Sequence, residues 1–216
     1  MHMVIRTILV AVRPATAQPD LAALGGGSGL EPTAQARLVA LNLPDTGVPA
    51  VEIARCAERE HADLIVLPRE PQDVVEGTVR RVRVPCLIVP PGQTAFGRVL
   101  TAVDASPDSG EITEAALAIG RLVGGAVTVL HVEQPALVAV GRGNDRPAWA
   151  APAVACRVIV RQGDPVAEIL RTVCEEGFDL LVHGHHRGGP RCGHETGSIA
   201  ARLLRRAPCA VLTVPI

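Results

Sequence analysis

Lysine is absent from the chain: all 21 of its basic residues are arginine. That excludes the phosphate-gripping lysine of a Walker loop, Schiff-base chemistry and a lysine general base. Tyrosine is missing too, and the aromatic residues amount to Phe96, Phe178 and Trp149. This compositional bias carries no mechanism by itself. Charge of one sign is not in excess, since 21 basic residues face 22 acidic ones for a formal net charge of −1. Nucleic acid and anionic membranes are therefore not the expected partners, because both are drawn by a basic field.

Other absences narrow the chemistry further. The six cysteines, Cys56, Cys86, Cys156, Cys174, Cys192 and Cys209, form no C-x-x-C pair, and most lie in apolar runs, as reduced core cysteines do in a cytosolic protein. The opening run "VIRTILVAV" is too short to span a bilayer and shows no cleavage pattern, so a soluble, cytoplasmic protein is expected. No Ser-His-Asp order, nucleophile elbow or framed carboxylate pair stands out. Without a positioned general base, at most slow hydrolysis of a bound nucleotide is expected, and no catalytic residue is assigned.

What the chain does contain is an internal repeat. "RTILVAVRP" at 6–14 matches "GRVLTAVDA" at 97–105, with Arg13 standing where Asp104 stands. "GVPAVEIARCAEREHADLIVLP" at 47–68 matches "GDPVAEILRTVCEEGFDLLVHG" at 163–184, and "EGTVRRVRVPCLIVPP" at 76–91 matches "TGSIAARLLRRAPCAVLTVP" at 196–215. Three matches in the same order imply a duplicated domain. The Pro- and Gly-bearing stretch "PPGQTAFG" at 90–97 marks the boundary, giving a first domain over 1–92 and a second over 93–216.

In the second copy "RVLTAV", "AVTVLHV", "CRVIV", "DLLVHG" and "CAVLTV" are continuously apolar and β-branched, as strands covered on both faces are. Ser106-Pro107 and Asp164-Pro165 are read as helix starts. Ile112, Ala115, Ala116 and Ile119 then make one apolar stripe, Val166, Ile169, Leu170 and Val173 another, with Gly177 as a stop. Strands alternating with helices predict an α/β fold of two doubly wound units with mostly parallel sheets. The first unit is reduced, with a helix and a strand missing between its opening strand and "ARLVALNL". Its later loop is also shorter: eight residues separate Pro68 from Gly77, against twelve between Gly184 and Gly197.

That longer loop reads "VHGHHRGGPRCGHETGS" from Val182 to Ser198 and admits two chemistries. His183, His185, His186, Cys192 and His194 are ligands suited to zinc or copper, although adjacent histidines rarely converge on one ion. Alternatively, Gly184, Gly188, Gly189 and Gly193 let the backbone approach an anion, and Gly197-Ser198 opens a helix whose N-terminus favours phosphate. In an open parallel sheet, both Asp104 and this loop leave strands at the ligand-binding edge. Arg202, Arg205 and Arg206 near the end of that helix suit its dipole and read as a solvated face. The segment 134–153 reads as a surface loop.

The second copy resembles a universal stress protein domain across nearly all of 97–216, through "VLTAVDASPDS", "VLHV", "GDPVAEIL", "FDLLVHG" and "TGSIAARLLRRAPCAVLTV". Residues 1–92 resemble a truncated copy, so the whole chain is similar to a tandem universal stress protein. The resemblance implies a cytoplasmic stress-response regulatory protein with ATP and magnesium as ligands. Ala102, Val103 and Asp104 would meet the adenosine, Val132 would offer backbone near the base, and Gly184, Gly197, Ser198 and Ile199 would line the phosphates. Nucleotide-binding members carry G-x2-G-x9-G-[ST], and here Gly184 is followed by Arg187 at the second glycine position, then Gly197 and Ser198. Two outcomes stay open: Gly188 serves after a one-residue shift and Arg187 pairs with phosphate, or Arg187 blocks it. In the first copy Arg13 and Pro68 replace the aspartate and the first glycine, so that half is expected to be nucleotide-free. The resemblance also implies that the two domains pair within the chain, as in a dimer, through their final strands. Alternatives are a ligand-free module for an unknown protein partner, and a metal-binding protein using 183–194.

Overall fold

The computed structural model describes residues 5–12, 37–43, 48–93, 96–104, 106–133, 156–186 and 199–216. Nine strands run through it: β1 (Thr7–Val12), β2 (Arg37–Asn42), β3 (Leu64–Pro68), β4 (Cys86–Val89), β5 (Arg98–Val103), β6 (Ala126–Glu133), β7 (Arg157–Gln162), β8 (Leu180–His185) and β9 (Ala210–Pro215). Five helices accompany them: α1 (Pro49–Arg59), α2 (Gln72–Val79), α3 (Ser109–Val123), α4 (Pro165–Glu176) and α5 (Ile199–Arg206).

All nine strands join one sheet in the order β2-β1-β3-β4-β9-β8-β5-β6-β7. Every neighbour pair is parallel except β4 and β9, which run antiparallel. The two expected sheets are thus continuous with each other, joined through the last strand of each half. Among the described residues, four strands lie on the first side of that seam and five on the second. The helix expected to be missing there concerns residues outside the described ones.

The central strands are apolar on both faces because both faces are covered. Ile53, Cys56 and Ala57 of α1, Val74, Val75 and Val79 of α2, Val166, Ile169 and Val173 of α4, and Leu203 and Leu204 of α5 share one core. Ile112, Ala115, Ala116 and Ile119 of α3 lie in the other. The outermost strands β2 and β7 both alternate exposed and half-buried residues, as edge strands with one covered face should.

Local detail recurs on the two sides of the seam. Ile8 pairs with Leu64 and Val99 with Leu180, in the register that the sequence repeat requires. Asp63 accepts the Thr7 amide at 2.9 Å, and Asp179 accepts the Arg98 amide at 2.9 Å. At the two edges Arg37 pairs with Glu60 and Arg157 with Glu176. Ile65 pairs with Cys86 and Leu181 with Val211, which makes Leu87 the counterpart of Leu212, and those two face each other across the seam.

The helix starts divide. Asp164 caps α4, its Oδ2 accepting the Ala167 amide at 2.9 Å, with Pro165 in the first turn and Gly177 closing the helix at φ 63°. Ser106 is not the cap of α3. That helix starts at Ser109, behind a turn in which Asp104 Oδ1 accepts the Ser106 amide at 2.9 Å. A short polar side chain that captures the amide two residues on forms an Asx turn, and the turn delays the helix.

Candidate functional site

The order in which strands are added to the sheet reverses at β5. From β5 the chain steps outward to β6 and β7, and it then returns past β5 to β8 and β9. The two halves of such a sheet send their crossovers to opposite faces, which opens a crevice at the carboxyl ends of the strands flanking the reversal, here β5 and β8. Ala102 pairs with His183 across those strands, and Val103 pairs with His131 on β6. Ala102, Val103 and Asp104 therefore end one wall of the crevice, with Gly184, His185 and His186 ending the other.

Each expected residue among the described ones has a definite setting. Ala102 and Val103 are buried, one in each core. Asp104 is exposed, and its Oδ1 accepts from the Ser106 amide and from Ser109 Oγ at 3.2 Å, while Ser109 Oγ also donates to the Asp104 carbonyl. Partial shielding from water pushes the Asp104 carboxyl up, but the hydrogen bonds from Ser106 and Ser109, aided by nearby His186, outweigh it and hold the group below the ordinary aspartate range. It is a carboxylate at neutral pH, already committed through Oδ1 to the turn. Val132 is half-buried near the end of β6 and packs on the core shared by α4 and α5. Ile199 begins α5 and is 43% exposed.

Gly184 has a reason to be glycine that the sequence does not reveal. A Cβ built on it would stand 2.6 Å from Ile112 Cδ1 and 2.8 Å from Ile216 Cδ1. A side chain here would have to displace those two isoleucine ends, so the constraint is one of packing and not of a left-handed backbone, since Gly184 is not among the glycines of positive φ. Arg187, Gly188, Gly189, Cys192, Gly193, His194, Gly197 and Ser198 lie outside the described residues, as does the segment 134–153.

The histidines of the edge are unlike one another. His183 is 4% exposed, and its Nδ1 meets the Gly184 carbonyl at 2.9 Å. A carbonyl only accepts, so Nδ1 carries the proton; Nε2 is buried without a hydrogen-bond partner. Burial lowers the His183 pKa to about 4. His131, which no motif picks out, is also buried, and its Nδ1 donates to the Val103 carbonyl at 3.1 Å, tying β6 to the end of β5. Among the described residues no group of three His, Cys, Asp or Glu side chains could hold a metal ion. Thiol chemistry has little support in the core, where burial pushes Cys86 to about 12 and Cys209 to about 11.

Two residues that sequence reasoning missed connect this half to the other. Arg69, just past β3, donates from Nη1 to the Ala207 carbonyl and from Nη2 to the Cys209 carbonyl, each at 2.5 Å. Glu76 on α2 receives Arg205 of α5 through two hydrogen bonds, of 2.7 and 3.1 Å. Arg205 is therefore not simply solvated. Arg202 lies 3.6 Å from Asp164.

No helix among the described residues is long and apolar enough to cross a membrane. Comparison with known proteins adds the kinship. A curated universal stress protein of Methanothermobacter thermautotrophicus is 33% identical over 60 residues, a match spanning 28% of this chain and 40% of that relative. Among solved structures, a universal stress protein from Archaeoglobus fulgidus aligns with TM-score 0.62 at 21% identity, covering 84% of this chain and 70% of that one. A protein of unknown function from Pseudomonas aeruginosa PAO1 aligns with TM-score 0.69 at 14% identity, covering 98% and 92%. The model of the Universal stress protein family matches residues 95–215, more than half of the chain, and the protein belongs to that family.

Proposed function

We propose that this protein is a cytoplasmic stress-response regulator that takes one adenine nucleotide, with magnesium, at the carboxyl edge between β5 and β8, and reports its state to a protein partner. The observation that carries this reading is the reversal of strand order between β5 and β8, with Ala102, Val103, Asp104 and Gly184 at its rim and α5 following β8 in the chain. On this reading residues 1–92 and 93–216 are two copies of one domain, paired internally through β4 and β9. The recurring Asp63 and Asp179 contacts and the facing of Leu87 with Leu212 support the duplication. The first copy takes no nucleotide, because Pro68 stands at the place of Gly184 and Arg69 spends its side chain on the other half.

Calorimetric titration with ATP and magnesium tests it, with one site per chain expected. Arg187→Gly is expected to strengthen binding, since a side chain at a glycine position obstructs close approach of phosphates. Two equivalent sites would overturn the assignment of the first half, and no heat with either protein would overturn the nucleotide reading. A ligand-free interaction module is the second reading, favoured by the commitment of Asp104 Oδ1 to its turn and by the crowding of Gly184 by Ile112 and Ile216.

A further inference from the structure

The candidate crevice belongs to the second half, yet the helix that borders it is gripped from the first. In the register of the repeat, Arg69 stands just past β3 where His185 stands at the end of β8. The two side chains are used differently. His185 ends a wall of the crevice, whereas Arg69 crosses the seam and donates to the Ala207 and Cys209 carbonyls, immediately beyond α5. Those carbonyls lie at the negative end of a helix, where a cation both satisfies acceptors and meets the dipole favourably. Glu76 grips the same end through Arg205, and Gln72 and Arg80 brace Glu76 in turn at 3.0 and 3.3 Å.

This grip is costly for a purely structural contact. Arg69 Nε is buried with no hydrogen-bond partner, and burial of the guanidinium lowers its pKa. Placing an arginine there gives up part of its hydrogen bonding, whereas an apolar residue could fill the volume without that cost. Its two remaining contacts fix direction, not merely proximity, because a planar guanidinium holds two carbonyls in a set geometry. Helix α5 has eight residues, so it spans about 12 Å, roughly two turns, and behaves as a rigid rod. Fixing its last turn fixes where its first turn, at Ile199, presents its amides.

We infer that Arg69 and Glu76 are positioning residues for the nucleotide site, the first half serving as a strut that sets the angle of α5 against the crevice between β5 and β8. This rests on the nucleotide reading given above. It assigns the first half a part in binding although that half takes no ligand of its own.

The test uses the full-length chain and three variants. Arg69→Met keeps the apolar stem and removes both carbonyl contacts. Glu76→Gln keeps the shape and weakens the pairing with Arg205. Glu60→Gln weakens the Arg37–Glu60 pair at the far edge and serves as the control. In titrations with ATP and magnesium, Arg69→Met and Glu76→Gln are each expected to raise Kd by about fivefold or more, while Glu60→Gln leaves it unchanged. Without nucleotide, amide hydrogen exchange at Leu203 and Leu204, whose helical acceptors are the Ile199 and Ala200 carbonyls, is expected to speed up in the first two variants and not in the control. If the unmodified chain binds ATP and the affinities of all four proteins agree, the strut is overturned while the nucleotide site stands. If the control loses as much affinity as the others, the effect is general destabilisation and the strut is overturned too. If the unmodified chain binds no ATP, the nucleotide reading fails; exchange at Leu203 and Leu204 then decides whether the first half orders α5, and unchanged rates overturn that as well.

Discussion

His183 shows how differently a residue reads in sequence and in the fold. Within "VHGHHRGG" it is one of three histidines and an apparent ligand, but β8 places it in the interior, with Nδ1 bound to the Gly184 carbonyl. Alternation leaves His183 and His185 on one face of β8 with Gly184 turned to the other, and His186 lies past the end of the strand, so a run of similar side chains need not form one cluster. The consequence is measurable. A folded-state pKa of about 4 lies below the ordinary 6.5. Above pH 6.5 both folded and unfolded states hold His183 neutral and it contributes no pH dependence; below it the unfolded chain takes up a proton that the folded chain refuses, so stability falls as pH drops from 6.5 towards 4. Between pH 7 and pH 5, urea denaturation of the unmodified protein should show a loss about 2 kcal/mol larger than that of His183→Leu. Equal losses in the two proteins would mean that His183 is protonated in the fold. Asp104 was legible as an aspartate that ends a strand and shapes the turn before Ser106-Pro107, but its bond to Ser109 was not, because spacing alone does not say which hydroxyl an oxygen will take.

At the scale of elements, the apolar stripes of α3 and α4 were plain in the sequence: all four residues of the first are buried, as are Val166, Ile169 and Val173 of the second, with Leu170 half-buried beside them. Their starts were less legible. Ser106-Pro107 and Asp164-Pro165 carry the same local signal, and only the second begins a helix directly. The difference lies upstream, in Asp104, whose turn competes for the amide that a cap would otherwise organise. Two substitutions separate the mechanisms. Asp164→Ala removes a cap bond to the Ala167 amide and should cost about 1 kcal/mol in denaturant unfolding. Ser109→Ala removes the buried hydroxyl that donates to both the carbonyl and Oδ1 of Asp104, and should cost about 1–3 kcal/mol while disturbing the rim of the crevice. A Ser109→Ala protein as stable as the parent would show that the Asp104 turn holds without it. The contacts made by Arg69 and Glu76 could not be read at all at this scale, since their partners lie more than a hundred residues away and no periodicity links them.

For the whole molecule, the apolar runs of the second copy marked its strands, but nothing in them foretold that β4 and β9 would join all the described strands into one uninterrupted sheet. Pattern matching identifies similar strands, whereas continuity depends on two edges meeting in register, here Leu87 against Leu212 with Cys86 against Thr213 and Ile88 against Val211. Because Leu87 and Leu212 are counterparts, a local two-fold axis passes between them, and an edge that accepts its own counterpart has the geometry to accept a copy of itself. Removing the first half therefore tests the symmetry. A fragment of residues 93–216 would leave β9 bare along Val211, Leu212 and Thr213, all buried in the full chain. An apolar unpaired edge of this kind seeks another strand. The fragment should form a two-fold dimer through β9, with the second copy's β9 in the place of β4, detectable as a doubled mass in sedimentation velocity. A folded fragment that stays monomeric at micromolar concentration would show that the first half does more than supply a matching edge, and would place the burden of the seam on Arg69 and Glu76, the two contacts that a second copy of 93–216 cannot reproduce.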